Sequence, residues 1–315
     1  HAFCLATEKM LGIEVPRRGQ LIRVLYCEMG RLLSHILAVC ALTADVGALT
    51  PQLWGYEERE KMMGFYERAC GSRVHANYFR FGGVARDIPD ALVEDIGKFC
   101  DPYLKLLDDL DTLVIGNRIF KQRNVDIAVV TAEEAWNRGF TGVMVRGSGV
   151  PWDLRKAQPY DGYETYDFDI PVGKNGDCFD RYLVRMEEMR QSLRIIRQVL
   201  DRLEPGPVTV DDPKVALPPK EKVYTRMESL IHHFKLVMHG IEMPVGEVYS
   251  ATEAANGELG FYIVSDGGKS PYRIRVRPPC LPIFSSFEAK VKGRLLADAV
   301  AELGAMNIIA GELDR

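Results

Sequence analysis

Few residues in this chain have types and spacings that could do chemistry, and they lie far apart. Histidines stand at His1, His35, His75, His232, His233 and His239, and cysteines at Cys4, Cys27, Cys40, Cys70, Cys100, Cys178 and Cys280. The cysteines are odd in number, scattered, and never as close as CxxC. Neither a disulfide framework nor a zinc or iron–sulfur site built by this chain alone is expected from them, and a reducing compartment is favoured. His232 and His233 point to different sides of a helix and cannot clamp one metal from one face. Asp45 is more suggestive, a lone carboxylate closing the apolar run 36–44. Burial would raise its pKa, and a nearby imidazolium would lower it again. On residue grounds a helix-end structural role and a functional acid both stay open. His75 sits in Arg73-Val74-His75-Ala76-Asn77-Tyr78-Phe79-Arg80-Phe81-Gly82-Gly83, where arginines, an amide and aromatics crowd beside permissive glycines. A packed core histidine and a functional one fit that setting equally.

Phosphate-binding patterns fail. Gly268-Lys269-Ser270 looks like the end of a P-loop, but Ile263 occupies the required glycine position. Gly147-Ser148-Gly149 begins like a dinucleotide fingerprint, but Trp152 replaces the third glycine and no βαβ pattern surrounds it.

The elements that must position these residues read as mainly helical. Leu21, Val24, Leu25, Leu32, Ile36, Val39 and Cys40 recur at helix spacing, predicting a long helix over 20–44 that is apolar on more than one face. Thr50-Pro51 reads as a cap and start for a helix ending at Gly71. Pro89 opens another that ends near Gly116, and Thr131 with Glu134 forms a capping-box pattern for a short helix to Gly139. Residues 151–180 form an aromatic and acidic excursion without a clear period, either a functional loop or one packed by its own tyrosines. Further helices are expected over 177–203, 225–239 and 287–303. Five prolines in 204–222 mark an extended arm. Strands are expected at 247–251, 260–264 and 272–276, with turns at Asn256-Gly257 and Gly267-Gly268. The fold class is therefore mainly α (α+β), a multihelical body with a small antiparallel β region over 247–277.

Composition excludes several classes. The 315 residues carry 40 Lys and Arg against 44 Asp and Glu, a net charge of −4 with no basic nucleic-acid footprint. Near-average apolar and charged content argues against disorder or collagen. The most apolar run ends at Asp45, well short of the roughly 20 residues of a membrane span. No secretory leader is recognisable.

Several segments together carry a resemblance. They are His1-Ala2-Phe3-Cys4-Leu5-Ala6-Thr7-Glu8-Lys9, Asp45-Val46-Gly47-Ala48-Leu49-Thr50-Pro51, Trp54-Gly55-Tyr56-Glu57-Glu58-Arg59-Glu60 and Arg146-Gly147-Ser148-Gly149-Val150-Pro151-Trp152-Asp153-Leu154-Arg155-Lys156, followed by Ile231-His232-His233-Phe234-Lys235 and Gly311-Glu312-Leu313-Asp314-Arg315. In that order they resemble the D (49 kDa) subunit family of respiratory complex I, itself similar to [NiFe]-hydrogenase large subunits. The resemblance covers the whole chain as one hydrogenase-large-subunit-like domain, without the family's N-terminal β-hairpin segment with its histidine, or a tyrosine placed shortly before His1.

What the resemblance implies is specific. The chain would form the quinone-reduction cavity with the B subunit, whose terminal [4Fe–4S] cluster passes on electrons that enter from NADH through FMN in other subunits. This chain would bind no cofactor alone and be inactive in isolation. The C subunit and the membrane-arm H subunit would be further neighbours, and the chain would be peripheral on the cytoplasmic face of the cell inner membrane. Asp45 matches the family aspartate that pairs with the hairpin histidine behind the quinone headgroup, and would help relay protons as quinone becomes quinol. His75 matches a histidine beside the partner's cluster, where hydrogen bonding and protonation near neutral pH would tune it. Arg80 would supply fixed positive charge there, or form a simple ion pair. Leu37, Ala41, Tyr56, Ile309 and Ala310 would line or flank the chamber, although each would serve equally as a core residue. The hydrogenase metal is not expected, because the tail holds no cysteine. Phe81 replaces a usual proline, Pro278-Pro279-Cys280 replaces an Ala-Pro-Gly stretch, and Cys40-Ala41-Leu42-Thr43-Ala44 also departs from the family, changes that bear on quinone preference. The equivalent subunit of a related complex fed by ferredoxin or another donor, and a non-catalytic assembly scaffold, are the competing readings.

Overall fold

The computed structural model describes residues 1–314. Helix α1 (Ala2–Leu11) leads into α2 (Arg17–Asp45) and α3 (Thr50–Cys70), which run back along one another. After a small hairpin, β1 (Phe79–Arg80) and β2 (Gly83–Val84), come α4 (Asp90–Ile115) and α5 (Arg118–Asn124). Short helices α6 (Ala132–Asn137), α7 (Val143–Gly147) and α8 (Leu154–Ala157) precede the long α9 (Cys178–Asp201). The remainder is α10 (Lys220–Thr225), α11 (Met227–His239), an antiparallel sheet of β3 (Gly246–Ala254), β4 (Gly257–Ser265) and β5 (Arg273–Arg277), then α12 (Cys280–Phe284), α13 (Phe287–Val291), α14 (Leu296–Met306) and α15 (Ala310–Leu313). The mainly helical body with small antiparallel sheets agrees with the sequence patterning.

Helix α2 is the spine. Leu21, Val24, Leu25, Leu32, Ile36 and Val39 are buried against Leu92, Ile96, Leu107, Leu110, Met189, Leu193 and Ile196 of α4 and α9. Each such side chain contributes roughly 1.5–3 kcal/mol by leaving water. By length and composition α2 could cross a membrane, but most of its apolar window is buried inside this fold. Its polar residues Arg23, Glu28, Arg31 and His35 are buried as well.

Five local expectations need correction. Thr50 is not a cap: Leu49 holds that position without a side-chain bond, and Pro51 lies in the first turn of α3. The turn between β3 and β4 falls one residue early, so Gly257 already pairs with Ala254. The predicted helix over 287–303 is two helices. Gly293 (φ 80) breaks it, and Asp298, paired with Arg123 at 2.8 Å, accepts from the Leu295 N–H at the new start. The arm is extended only to Pro219, where α10 begins. The hairpin β1–β2 has no counterpart among the expected elements. Its turn is fixed from outside: Glu8 accepts from the Gly82 N–H at 2.7 Å, and Arg23 donates to the Arg80 and Gly83 carbonyls. A methyl group added at Gly83 (φ 154) would lie 2.1 Å from the Val208 carbonyl of the arm, so only glycine fits.

Candidate functional site

Leu37, Ala41 and Asp45 succeed one another at i, i+4 and i+8 on the last turns of α2, so they share a face. Two elements close on this end. Helix α3 crosses at Gly55, where an added methyl would meet Cys40 Sγ at 2.4 Å, and the next residue, Tyr56, is exposed. Helix α14 crosses at Gly304, where an added methyl would lie 2.9 Å from Asp45 Oδ2. Beyond α14 the chain is pinned by reciprocal amide bonds: Asn256 Nδ2 donates to the Asn307 carbonyl at 2.9 Å, and Asn307 Nδ2 to Asn256 Oδ1 at 2.7 Å. Ile309 and Ala310 follow, both exposed. Leu37 and Ala41 are only half-buried, so these side chains are not ordinary core.

Asp45 is itself exposed, contrary to the burial that its apolar neighbourhood suggested. It still has no cation or hydrogen-bond donor among the described residues, and partial desolvation raises its pKa. Leu49, Leu53 and Trp54, which follow it in the chain, are exposed as well. The arrangement is an open apolar face carrying one carboxylate with raised proton affinity. On α14, Glu302 behaves similarly: burial pushes it up to about 7, against the opposing pull of Arg181 and Lys290.

His75 and Arg80 do not join this group. They follow the far end of α3, whose 21 residues rise about 30 Å. His75 is exposed, which removes the packed-core alternative. Arg80 has no carboxylate partner among the described residues, so the simple ion pair is not formed. Its Nη1 donates to the Asn77 carbonyl at 3.0 Å, the Phe79 carbonyl at 3.1 Å and Asn77 Oδ1. Arg80 instead borders a cavity of about 680 Å³ with Phe3, Phe81, Leu236, Ile263 and Lys269, and no other candidate residue lines it.

The sequence reading missed a buried polar seam between α2 and α9. Glu28 accepts from Tyr163 Oη and Ser192 Oγ at 2.7 Å each, and from Arg155 Nη1 at 3.2 Å. Two turns on, His35 Nε2 lies 2.7 Å from Glu188 Oε2, while Arg146 Nε donates to Glu188 Oε1 at 2.6 Å. Arg146 Nη1 also donates to Glu253 Oε1 of β3 at 2.8 Å. Burial pushes His35 down to about 4, so the neutral ring donates to a carboxylate that Arg146 holds ionised. The spacing Glu28, Arg31, His35 inside an apolar helix, with Arg146 and Asp153-Leu154-Arg155, was the available signal. Among the described residues no group of three or more His, Cys, Asp or Glu could hold a metal ion.

Comparison with known proteins bears on this architecture. A sequence model of the family described as respiratory-chain NADH dehydrogenase, 49 kDa subunit, matches residues 45–315. The D subunit of NADH-quinone oxidoreductase from Bradyrhizobium sp. strain BTAi1 is 60% identical over 319 residues, covering 100% of this chain and 80% of that protein. The D subunits of Xanthobacter autotrophicus (62% identical, 79% of that protein) and Mesorhizobium japonicum (61%, 81%) are equally similar over the whole chain. With a helical body and small sheets as its scaffold, this chain belongs to the 49 kDa (D) subunit family of respiratory-chain NADH dehydrogenase, complex I.

Proposed function

We propose that this chain forms one wall of the chamber in which a proton-translocating NADH:quinone oxidoreductase reduces quinone, the cluster-bearing B subunit supplying the facing wall. The observation that carries the reading is the convergence at the end of α2. An unpaired carboxylate with raised proton affinity ends the Leu37 and Ala41 face there, with α3 crossing at Gly55, next to Tyr56, and α14 crossing at Gly304, shortly before Ile309 and Ala310. An apolar face with one proton-holding group suits a quinone ring and its tail. That face is open in this chain, as half of a shared chamber would be. FMN and iron–sulfur clusters of partner subunits supply the electrons.

Reduction of a quinone to a quinol takes up two protons with two electrons. Asp45 holds a proton at its carboxyl oxygen and hands it to a quinone oxygen as charge builds there. His75 and Arg80, at the other end of α3, act on the partner's cluster side, one as a hydrogen-bonding imidazole and the other as fixed positive charge. The relatives' names favour NADH over ferredoxin as the donor. Docking to further subunits, C and H among them, is supported by α11, which exposes Met227, Leu230, Ile231, Phe234 and Val237. Assembly of this kind sets the chain at the cytoplasmic face of the inner membrane, peripheral and inactive alone.

Asp45→Asn tests the reading in the assembled complex. NADH:quinone turnover should fall at least about tenfold, while NADH oxidation by an artificial acceptor at the flavin stays unchanged. Unchanged quinone turnover would sink the proposal.

A further inference from the structure

One cluster of reactive groups lies outside this machinery. Cys27, on the first half of α2, places Sγ 3.0 Å from His1 Nδ1. The other ring nitrogen, His1 Nε2, lies 2.6 Å from Asp161 Oδ2. His1 and Asp161 are nearly buried, at 7% and 5% side-chain exposure, and the ring is held between Phe79 (5.2 Å) and Tyr160 (5.5 Å). Asp161 is fixed in turn by Arg23 Nη1 at 3.7 Å, and its backbone is left-handed (φ 46). A nucleophile within hydrogen-bond reach of a base, with the base oriented by a third group, is the geometry of an activated thiol.

We propose that Cys27, His1 and Asp161 form a peroxide-reactive thiol site, in which His1 takes the thiol proton, Asp161 orients the ring, and Cys27 is the first cysteine of this chain to be oxidised. The thiolate sulfur attacks one oxygen of hydrogen peroxide. A sulfur–oxygen bond forms, the oxygen–oxygen bond breaks, and the departing hydroxide takes the proton from the His1 imidazolium and leaves as water. Sulfur loses two electrons, peroxide gains them, and Cys27 becomes a sulfenic acid.

The remaining cysteines differ in ways that sharpen the assignment. Cys4, Cys40, Cys100, Cys178 and Cys280 are buried, and burial raises all five thiols, Cys40 and Cys280 to about 12. Such thiols are inert. Cys70 is the useful control, because it is half-buried like Cys27 but its Sγ donates to the carbonyl oxygens of Tyr66 (3.2 Å) and Ser72 (3.5 Å) rather than facing an imidazole. Burial alone would make His1 a weaker base, yet Cys27 and the Asp161 hydrogen bond push it up to about 10.

An unassisted thiol is only about 3% thiolate at pH 7, so full ionisation accelerates attack by at most about 30-fold, less some loss of nucleophilicity. The test treats the purified complex with hydrogen peroxide, traps sulfenic acid with dimedone, and follows each cysteine peptide by mass spectrometry. Cys27 should label about tenfold faster than Cys70. His1→Gln and Asp161→Asn, the latter tolerating a left-handed backbone, should each bring Cys27 down to the Cys70 rate without altering Cys70. Labelling of wild-type Cys27 no faster than Cys70 would overturn the proposal, as would a Cys27 rate unchanged in both variants.

Discussion

Replacing Glu188 by glutamine removes one negative charge where water cannot compensate. Its two oxygens take Arg146 Nε at 2.6 Å and His35 Nε2 at 2.7 Å, and all three side chains are fully buried. Glutamine keeps one acceptor for Arg146 but turns an N–H group toward the His35 N–H. To avoid facing a donor, His35 must move its proton to Nδ1, which has no partner among the described residues. Arg146 keeps Glu253 at 2.8 Å and Asp153 at 3.7 Å, so the loss is partial. Breaking one side of a buried pair costs about 3–5 kcal/mol. With an unfolding entropy of about 0.7 kcal/mol/K for a chain of this length, Tm should drop by about 4–7 °C. Thermal unfolding followed by circular dichroism measures it, with Glu57→Gln on an exposed Lys61 pair as a control near zero. A Glu188→Gln Tm within about 1 °C of wild type would show that the seam contributes little and refute the reasoning.

Three further outcomes follow from the same geometry. His35 falls to about 4 in the fold against about 6.5 unfolded, so its contribution is intact above pH 6.5 and lost as pH falls toward 4. That amounts to about 3 kcal/mol, and His35→Gln should flatten chemical-denaturation stability measured across this window. An undiminished slope would contradict the assignment. Gly83→Ala forces a methyl group against the Val208 carbonyl and should cost at least about 2 kcal/mol, releasing the arm to trypsin at Lys214; unchanged cleavage would show that the arm is held elsewhere. Gly55→Ala drives a methyl group into Cys40 Sγ, costing about 1–3 kcal/mol, and the double variant with Cys40→Ala should recover most of that loss in Tm.

How much of this was legible in the sequence depends on whether the cause was local. Helices α2, α4 and α9 announced themselves by periodic apolar residues, and Pro89 and Gly71 marked the start of α4 and the end of α3 as expected. The β1–β2 hairpin did not, because two-residue strands carry no period and are held by Glu8, Arg23 and the distant arm. The seam was hidden for a related reason: the partners of Glu28, Arg31 and Glu188 lie far apart in sequence and meet only where α2 and α9 bury them against each other. Asp45 stands out in the sequence as a lone carboxylate closing an apolar run, but its exposure depends on where α3 and α14 cross. His75 and Arg80 came from a crowded motif, and only the length of α3 reveals how far they lie from Asp45.

Two surfaces of this chain compete as the proposed quinone site. One is the Asp45 face, and the other is the 680 Å³ cavity beside Arg80 and Leu236. A photoactivatable quinone analogue bound to the assembled complex, followed by peptide mapping, decides between them. Quinone bound at the Asp45 face should place labels on this chain in peptides containing Leu37, Ala41, Tyr56, Ile309 or Ala310, displaced by excess quinone. Displaceable labels confined to the Leu236 and Ile263 cavity peptides would contradict that placement.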